Sequence, residues 1–328
     1  MPEVNDPTWK RANTDWFSKA RWGVMTHYLG SPEETADAWN KRVDSIDVQA
    51  LADQVASTGA AYYLFTIGQN SGHYCSPNAA YDSFVGISPS KCSRRDLIGD
   101  LADALTRRGV KLLAYLNSAA PYCDKLACRR LQWEWGYEGP MEAYSGIFRG
   151  LRLAEFQRMW EAIIREWSTR WGNKVHGWWI DGCYFGVDMY NFAEEPNWRS
   201  FASALKSGNK ESLIAFNGGV NLPVVSMTQY EDYTAGEIDA DLPLLFRQPK
   251  RPMERFVNGA QLHILTYLGE TWGAGSPRFP VELPAGYTKF FNRSGGVVTW
   301  DVPISAAGVI PQAYIDQLKV IGKAATAG

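Results

Sequence analysis

Histidine, cysteine, long apolar runs and blocks of like charge are all scarce in this 328-residue chain, and each scarcity removes a class of function. The four histidines, His27, His73, His176 and His263, stand far apart in sequence. Metal sites built on imidazole and carboxylate ligands need such groups clustered, so neither a metal-dependent hydrolase nor any cofactor is expected. Five cysteines, Cys75, Cys92, Cys123, Cys128 and Cys183, leave at least one unpaired and cannot form a dense disulfide framework. Cys123 and Cys128 are close enough in sequence to bridge, but free buried thiols are the plainer expectation.

Basic and acidic residues, 33 and 35 in number, are interspersed and nearly cancel at a net charge of -2. Phosphate backbones require a basic face, so nucleic acid is not an expected partner. No apolar run approaches the roughly 20 residues of a membrane span, and MPEVNDPTWK is not a basic and then apolar leader. A soluble chain is expected, with a secreted or periplasmic location left open. Nothing in the sequence bears on oligomeric state.

What is present is an alternation. Runs rich in β-branched and aromatic residues begin at Trp22, Tyr62, Lys111, Gly177, Leu213, Leu262 and Gly296, and a weaker one, VVSMTQYED, begins at Val224. Amphipathic segments separate them. One opens at Asp44 and stops at Gly59, one runs from Ser93 to Gly109, and a longer one runs from Leu151 with Phe156, Trp160, Ile163 and Trp167 on its stripe. A last segment opens at Pro311, where proline suits a first helical turn. Eight strands alternating with helices predict an α/β fold, a (β/α)₈ TIM-like barrel in a single domain over residues 1–328. An open doubly wound sheet is disfavoured because no strand is followed by a G-x-G-x-x-G turn.

In such a barrel the chemistry sits at the C-terminal ends of the strands. Those ends are polar here: His27 and Tyr28, Gln69 and Asn70, Asn117, Asp181, Asn217, Glu231 and Asp232, Glu270, and Asp301. Asn and Asp also serve as turn formers and helix caps, which is the plain alternative for each. Asp181 differs, because Trp178, Trp179 and Ile180 place it at the end of a strand core and Gly182 lets the chain turn away. Aromatic residues make up 13% of the chain, and Trp39, Trp133, Trp135, Tyr184, Tyr233 and Trp272 fall in expected loops. Aromatic faces stacked on sugar rings, with carboxylates and amides for the hydroxyls, make carbohydrate the expected substrate class. Glycosidic hydrolysis uses two carboxyl groups. If Asp181 is one, QYEDYTAGEIDADLP offers Glu231, Asp232, Glu237, Asp239 and Asp241 as the other.

These motifs resemble, in order, those of the family 29 α-L-fucosidases. TDWFSKARWGVMTHYLG is similar to that family's first strand, SRRDLIGDLADALTRRGVKLLAYLN to its KRDLVGEL segment, and GWWIDG to the LWFDG that carries its nucleophile. EDYTAGE, GETWGAG and SGGVVTWDVPISAAGVIPQAYIDQLKVIGK continue the match. The resemblance implies a retaining exo-glycosidase acting on terminal α-L-fucose or a related sugar, with Asp181 as nucleophile. Glu237 is the implied acid/base, with Glu231 close behind. Sugar contacts are expected from His27, Tyr28, Trp39, Gln69, Asn70, Tyr115, Asn117, Asn217 and Trp272. The chain departs from the family pattern where two histidines become Gln69 and Asn70, at Leu116 and Asn117, and at Trp300 and Asp301. A C-terminal β-sandwich, common in that family, is not expected within these residues. A non-catalytic sugar-binding barrel is the alternative function.

Overall fold

The computed structural model describes residues 6–133, 152–242 and 254–326. Trp135 and the expected helix start at Leu151 lie outside them. Seven parallel strands form one sheet: β1 (Trp22–Thr26), β2 (Tyr62–Thr66), β3 (Lys111–Asn117), β4 (Val175–Asp181), β5 (Leu213–Phe216), β8 (His263–Tyr267) and β9 (Val297–Asp301). A short antiparallel pair, β6 (Phe256–Val257) and β7 (Ala260–Gln261), precedes β8. The spatial order β5-β4-β3-β2-β1-β9-β8 curls the sheet, with the last strands returning to pair beside the first.

The strands read as continuous apolar runs because both faces are covered. Alternate side chains go opposite ways. Trp178, Ile180, Leu112, Ala114, Tyr63 and Phe65 join the core beneath the helices. Trp179, Leu113, Tyr115, Tyr62, Leu64 and Met25 fill a second core inside the curl. Helix ends follow ordinary capping chemistry, with two shifts from expectation. Asp44 ends the helix Ala36–Asp44, and the next helix, Val48–Ser57, is capped by Asp47, which accepts from the Gln49 and Ala50 amides. Similarly Asp96, rather than Ser93, caps Leu97–Thr106. All five cysteines are free, and Cys123 is exposed rather than buried. Among the described residues no helix is long and apolar enough to cross a membrane.

The eighth expected strand does not form. Residues 217–242 after β5 form no strand, yet their backbone bonds to both β5 and β8. Asp232 and Tyr233 donate to the Ile214 carbonyl at 2.7 and 3.2 Å, and Ile238 donates to Leu265 at 2.9 Å. Two local features explain the missing ladder. The Asp232 carboxylate accepts from the Ile214 amide at 2.9 Å and the Ala12 amide at 2.6 Å, filling places that strand backbone would otherwise take. Gly236, at φ 59°, bends the chain so tightly that a Cβ there would lie 1.9 Å from the His263 carbonyl oxygen.

Asp232 is also paired with Lys206 at 2.7 Å, the two side chains 0% and 9% exposed. Lys206 donates further to the Ser212 carbonyl at 2.6 Å. Removing one member of a buried pair leaves the other charge uncompensated, which costs about 3–5 kcal/mol. Asp232→Ala should therefore lower the unfolding free energy by about that amount in denaturant titration. A loss below about 1 kcal/mol, typical of exposed pairs, would contradict this role.

Candidate active site

Strand parity brings the polar ends together. Met25, Leu113, Tyr115, Trp179 and Ala215 point inside the curl, so His27, Asn117, Asp181 and Asn217, each an even number of residues further on, point the same way. His27 and Asp181 reach a pocket of about 360 Å³, and Asn217 bonds to two of its carboxylates. Asp181, Glu237, His27, Gln69, Tyr115 and Trp272 line it, with Trp179, Tyr184, Leu29 and Leu265.

Asp181 is held by three donors. Its Oδ1 accepts from the Gly182 amide at 2.8 Å and from Asn217 Nδ2 at 2.9 Å. Its Oδ2 accepts from the Tyr115 hydroxyl at 2.5 Å. Gly182, at φ 77°, turns the chain away immediately afterwards. Tyr115 in turn lies flat on Trp179, ring centres 5.4 Å apart, and receives a bond from Gln69 Nε2.

Asn217 also donates from the same Nδ2 to Glu237 Oε2 at 2.7 Å. One amide group thus bridges the two carboxylates. The two bonds, 2.9 and 2.7 Å, limit the separation of Asp181 Oδ1 and Glu237 Oε2 to their sum, 5.6 Å. Burial raises the Glu237 carboxyl above its usual range, Asn217 opposes this, and the charge of Asp181 reinforces it. Two neighbouring carboxyl groups with different surroundings are the arrangement that separates an acid from a base.

On the opposite wall, His27 Nδ1 meets Asp301 Oδ1 at 2.8 Å. The other Asp301 oxygen accepts from the Gly273 amide at 2.6 Å, so one fully buried carboxylate fixes both the imidazole and the loop that carries Trp272. Burial alone would discourage a charge on His27, but Asp301, Asp181 and Glu237 outweigh it and raise the imidazole above its ordinary range. Among the described residues no group of three or more His, Cys, Asp or Glu could hold a metal ion.

No family model matches this chain, and no curated protein matches it. Solved structures do. The endo-fucoidan hydrolase MfFcnA4 of glycoside hydrolase family 107 aligns with TM-score 0.68 at 17% identity, over 94% of this chain and 53% of its own. Another member, P5AFcnA, aligns with TM-score 0.68 at 18% identity, over 94% of this chain and 91% of its own. The family 29 α-L-fucosidase from Bacteroides thetaiotaomicron gives TM-score 0.64 at 17% identity, over 98% and 76%. The fold is that of these glycoside hydrolases. Likeness at this identity extends to both families 29 and 107, so the motif resemblance to family 29 does not single that family out. This chain spans about half the length of MfFcnA4.

Six expected site residues do not line the pocket: Trp39, Tyr28, Glu231, Asn70, Asn117 and Asn217. Trp39 sits on the helix Ala36–Asp44, fully buried, its indole N–H donating to the Tyr74 carbonyl at 3.0 Å. Tyr28 has the opposite parity to His27 and packs outward against Trp39 and Phe65. Glu231 is fully buried, accepting from the Met227 amide at 2.7 Å and the Phe216 amide at 3.3 Å, and burial lifts its carboxyl to about 8. It braces the loop after β5 instead of facing solvent.

Asn70 and Asn117 bond to each other, Asn117 Nδ2 donating to Asn70 Oδ1 at 2.6 Å, one layer behind the pocket. Of the loop aromatics, Tyr184 lines the pocket. Trp133 packs on Phe156, and Tyr233 is inside the curl. Trp179 had not been expected to take part, whereas Asp301 was expected at its strand end, and the period-2 alternation that places Asp181 also places both.

Proposed function

We propose that this protein is a retaining glycosidase acting on α-L-fucose or a closely related sugar, with Asp181 as nucleophile and Glu237 as acid/base. The observation that carries this is the Asn217 bridge. One oxygen of each carboxylate lies within 5.6 Å of the other, a close pairing that supports the roughly 5–5.5 Å between carboxyl groups of retaining enzymes over the roughly 6.5–9.5 Å of inverting ones. Glu231 fits less well, because its oxygens are committed to backbone amides away from the pocket.

In the first step Asp181 attacks the anomeric carbon, and Glu237 gives its proton to the departing glycosidic oxygen. In the second, Glu237 takes a proton from water, which attacks the same carbon and releases Asp181. Two inversions give net retention. His27, oriented by Asp301, presents its other ring nitrogen to the sugar, and Trp272 offers an aromatic face. A volume of about 360 Å³ suits one small ligand, which favours cleavage at a chain end.

The second reading is cleavage inside a polymer, and it is supported by the somewhat higher fold similarity to endo-fucoidan hydrolases. A screen of aryl α-L-fucoside, α-L-galactoside, α-L-arabinoside and α-D-galactoside tests the proposal, with product anomers followed by NMR. Turnover of the fucoside with the α-anomer released first is the expected result. First release of the β-anomer would overturn retention. Sugar binding without turnover of any substrate would leave a non-catalytic binding protein. Incubation with fucoidan separates the two cleavage modes, because endo-cleavage yields oligosaccharides and no early monosaccharide.

A further inference from the structure

Gln69 stands at one of the two positions where the motif resemblance implies a histidine reading sugar hydroxyls, and the expectation from sequence was that its amide does the same. Its bonding points elsewhere. The Asp181 carboxylate can only accept, and at 2.5 Å its Oδ2 takes the single Tyr115 hydroxyl hydrogen in preference to Asn117 Oδ1 at 3.3 Å. That hydroxyl can then only accept from Gln69, and the amide must present nitrogen rather than oxygen. The result is a one-way chain of donors, Gln69 to Tyr115 to Asp181.

We propose that Gln69 is a positioning residue: it aims the Tyr115 hydroxyl at the Asp181 carboxylate and so fixes the nucleophile, and does not serve chiefly to read the sugar. This deepens the reading of Asp181 as nucleophile and rests on it. Three further observations support the chain. Tyr115 is buried and stacked on Trp179, so its ring has little freedom beyond the direction of its hydroxyl. Burial and the adjacent Asp181 hold the phenol well above its usual range, so it remains a donor. A carboxamide carries the same hydrogens at every pH, whereas an imidazole here would change role as it titrates. The remaining titratable groups facing Asp181 are His27, Tyr184 and Glu237.

The test compares Gln69→Met, which keeps length and removes both donors, with Tyr115→Phe and the double variant. On an aryl α-L-fucoside, Tyr115→Phe should lower kcat roughly 10- to 100-fold, as expected for loss of a hydrogen bond to a charged group. Gln69→Met should lower kcat about 10-fold with KM nearly unchanged. The double variant should be little worse than Tyr115→Phe alone.

Free L-fucose as a competitive inhibitor should bind Gln69→Met as it binds the parent. Weakened fucose binding by the same factor as kcat/KM would overturn the proposal in favour of sugar reading. A crystal structure of Gln69→Met decides the matter without any turnover. Loss of the Tyr115–Asp181 contact supports positioning, and an unchanged contact overturns it. Absence of all glycosidase activity in the parent would sink the reading of Asp181 instead, so the two failures are distinguishable.

Discussion

Asp181→Asn is expected to lower kcat on an aryl α-L-fucoside by about 10⁴-fold or more while leaving the fold intact. An amide is a poor nucleophile toward the anomeric carbon, and loss of a group that forms the covalent intermediate leaves only binding and electrostatic contributions. A 10⁴-fold loss corresponds to about 5.5 kcal/mol of transition-state stabilisation. The fold should persist because Asn has nearly the same shape, and its oxygen can still accept from Tyr115 or from Asn217 and Gly182. Kinetics and a thermal melt of the same preparation give the result. Activity within tenfold of the parent would remove Asp181 from the chemistry, and a collapsed melting temperature would assign it to the scaffold instead.

The second large effect concerns Glu237→Gln, and its size should depend on the leaving group. An alcohol departing from a disaccharide needs the proton that Glu237 supplies, so hydrolysis of such a substrate should fall roughly 10²- to 10⁴-fold. An activated phenol leaves without that proton. For it the first step should survive while the second, which needs Glu237 as base, becomes limiting. Azide needs no deprotonation and should restore turnover by intercepting the intermediate, giving the azide of retained configuration.

The pH profile carries the same assignment. Burial, aided by the Asp181 charge and opposed by the Asn217 bond, raises the Glu237 carboxyl above its ordinary value. The acid form therefore survives to higher pH than in an exposed glutamate, and activity is lost as pH rises through the raised value. That alkaline limb should vanish in Glu237→Gln. Persistence of the limb, or equal losses on activated and unactivated substrates with no azide effect, would shift the role to another group.

Much of this frame was legible in the sequence because the two-faced burial of parallel strands writes itself as unbroken apolar runs. The strand carrying GWWIDG could be read that way, and parity then aimed Asp181 into the mouth. Parity failed in QYEDYTAGE, where Asp232 substitutes a side chain for strand backbone and Gly236 bends the chain. Five acids in one short segment could not be ranked without knowing which of them followed that bend. Trp39 was misplaced for a different reason. Its helix, Ala36–Asp44, is capped by Thr35, whose side chain accepts from the Ala38 amide, and the polar residues around Trp39 in ADAWNKRVD gave the look of a loop. The bonding of Gln69 was invisible in principle, since it depends on a hydroxyl brought from β3, 46 residues away.

The strandless run after β5 has a bearing on how the protein would fail. Asp181 belongs to a strand with continuous ladders on both sides, whereas Glu237 belongs to a segment joined to its neighbours by isolated bridges. Regions without a continuous ladder open at lower free energy than the whole molecule. A transient parting there would draw Glu237 from the Asn217 amide and pull the reacting pair apart while most of the sheet stayed assembled. Under mild heat or low denaturant the molecule would then fall silent before it melts, with ellipticity intact and amide exchange quickened along residues 232–238.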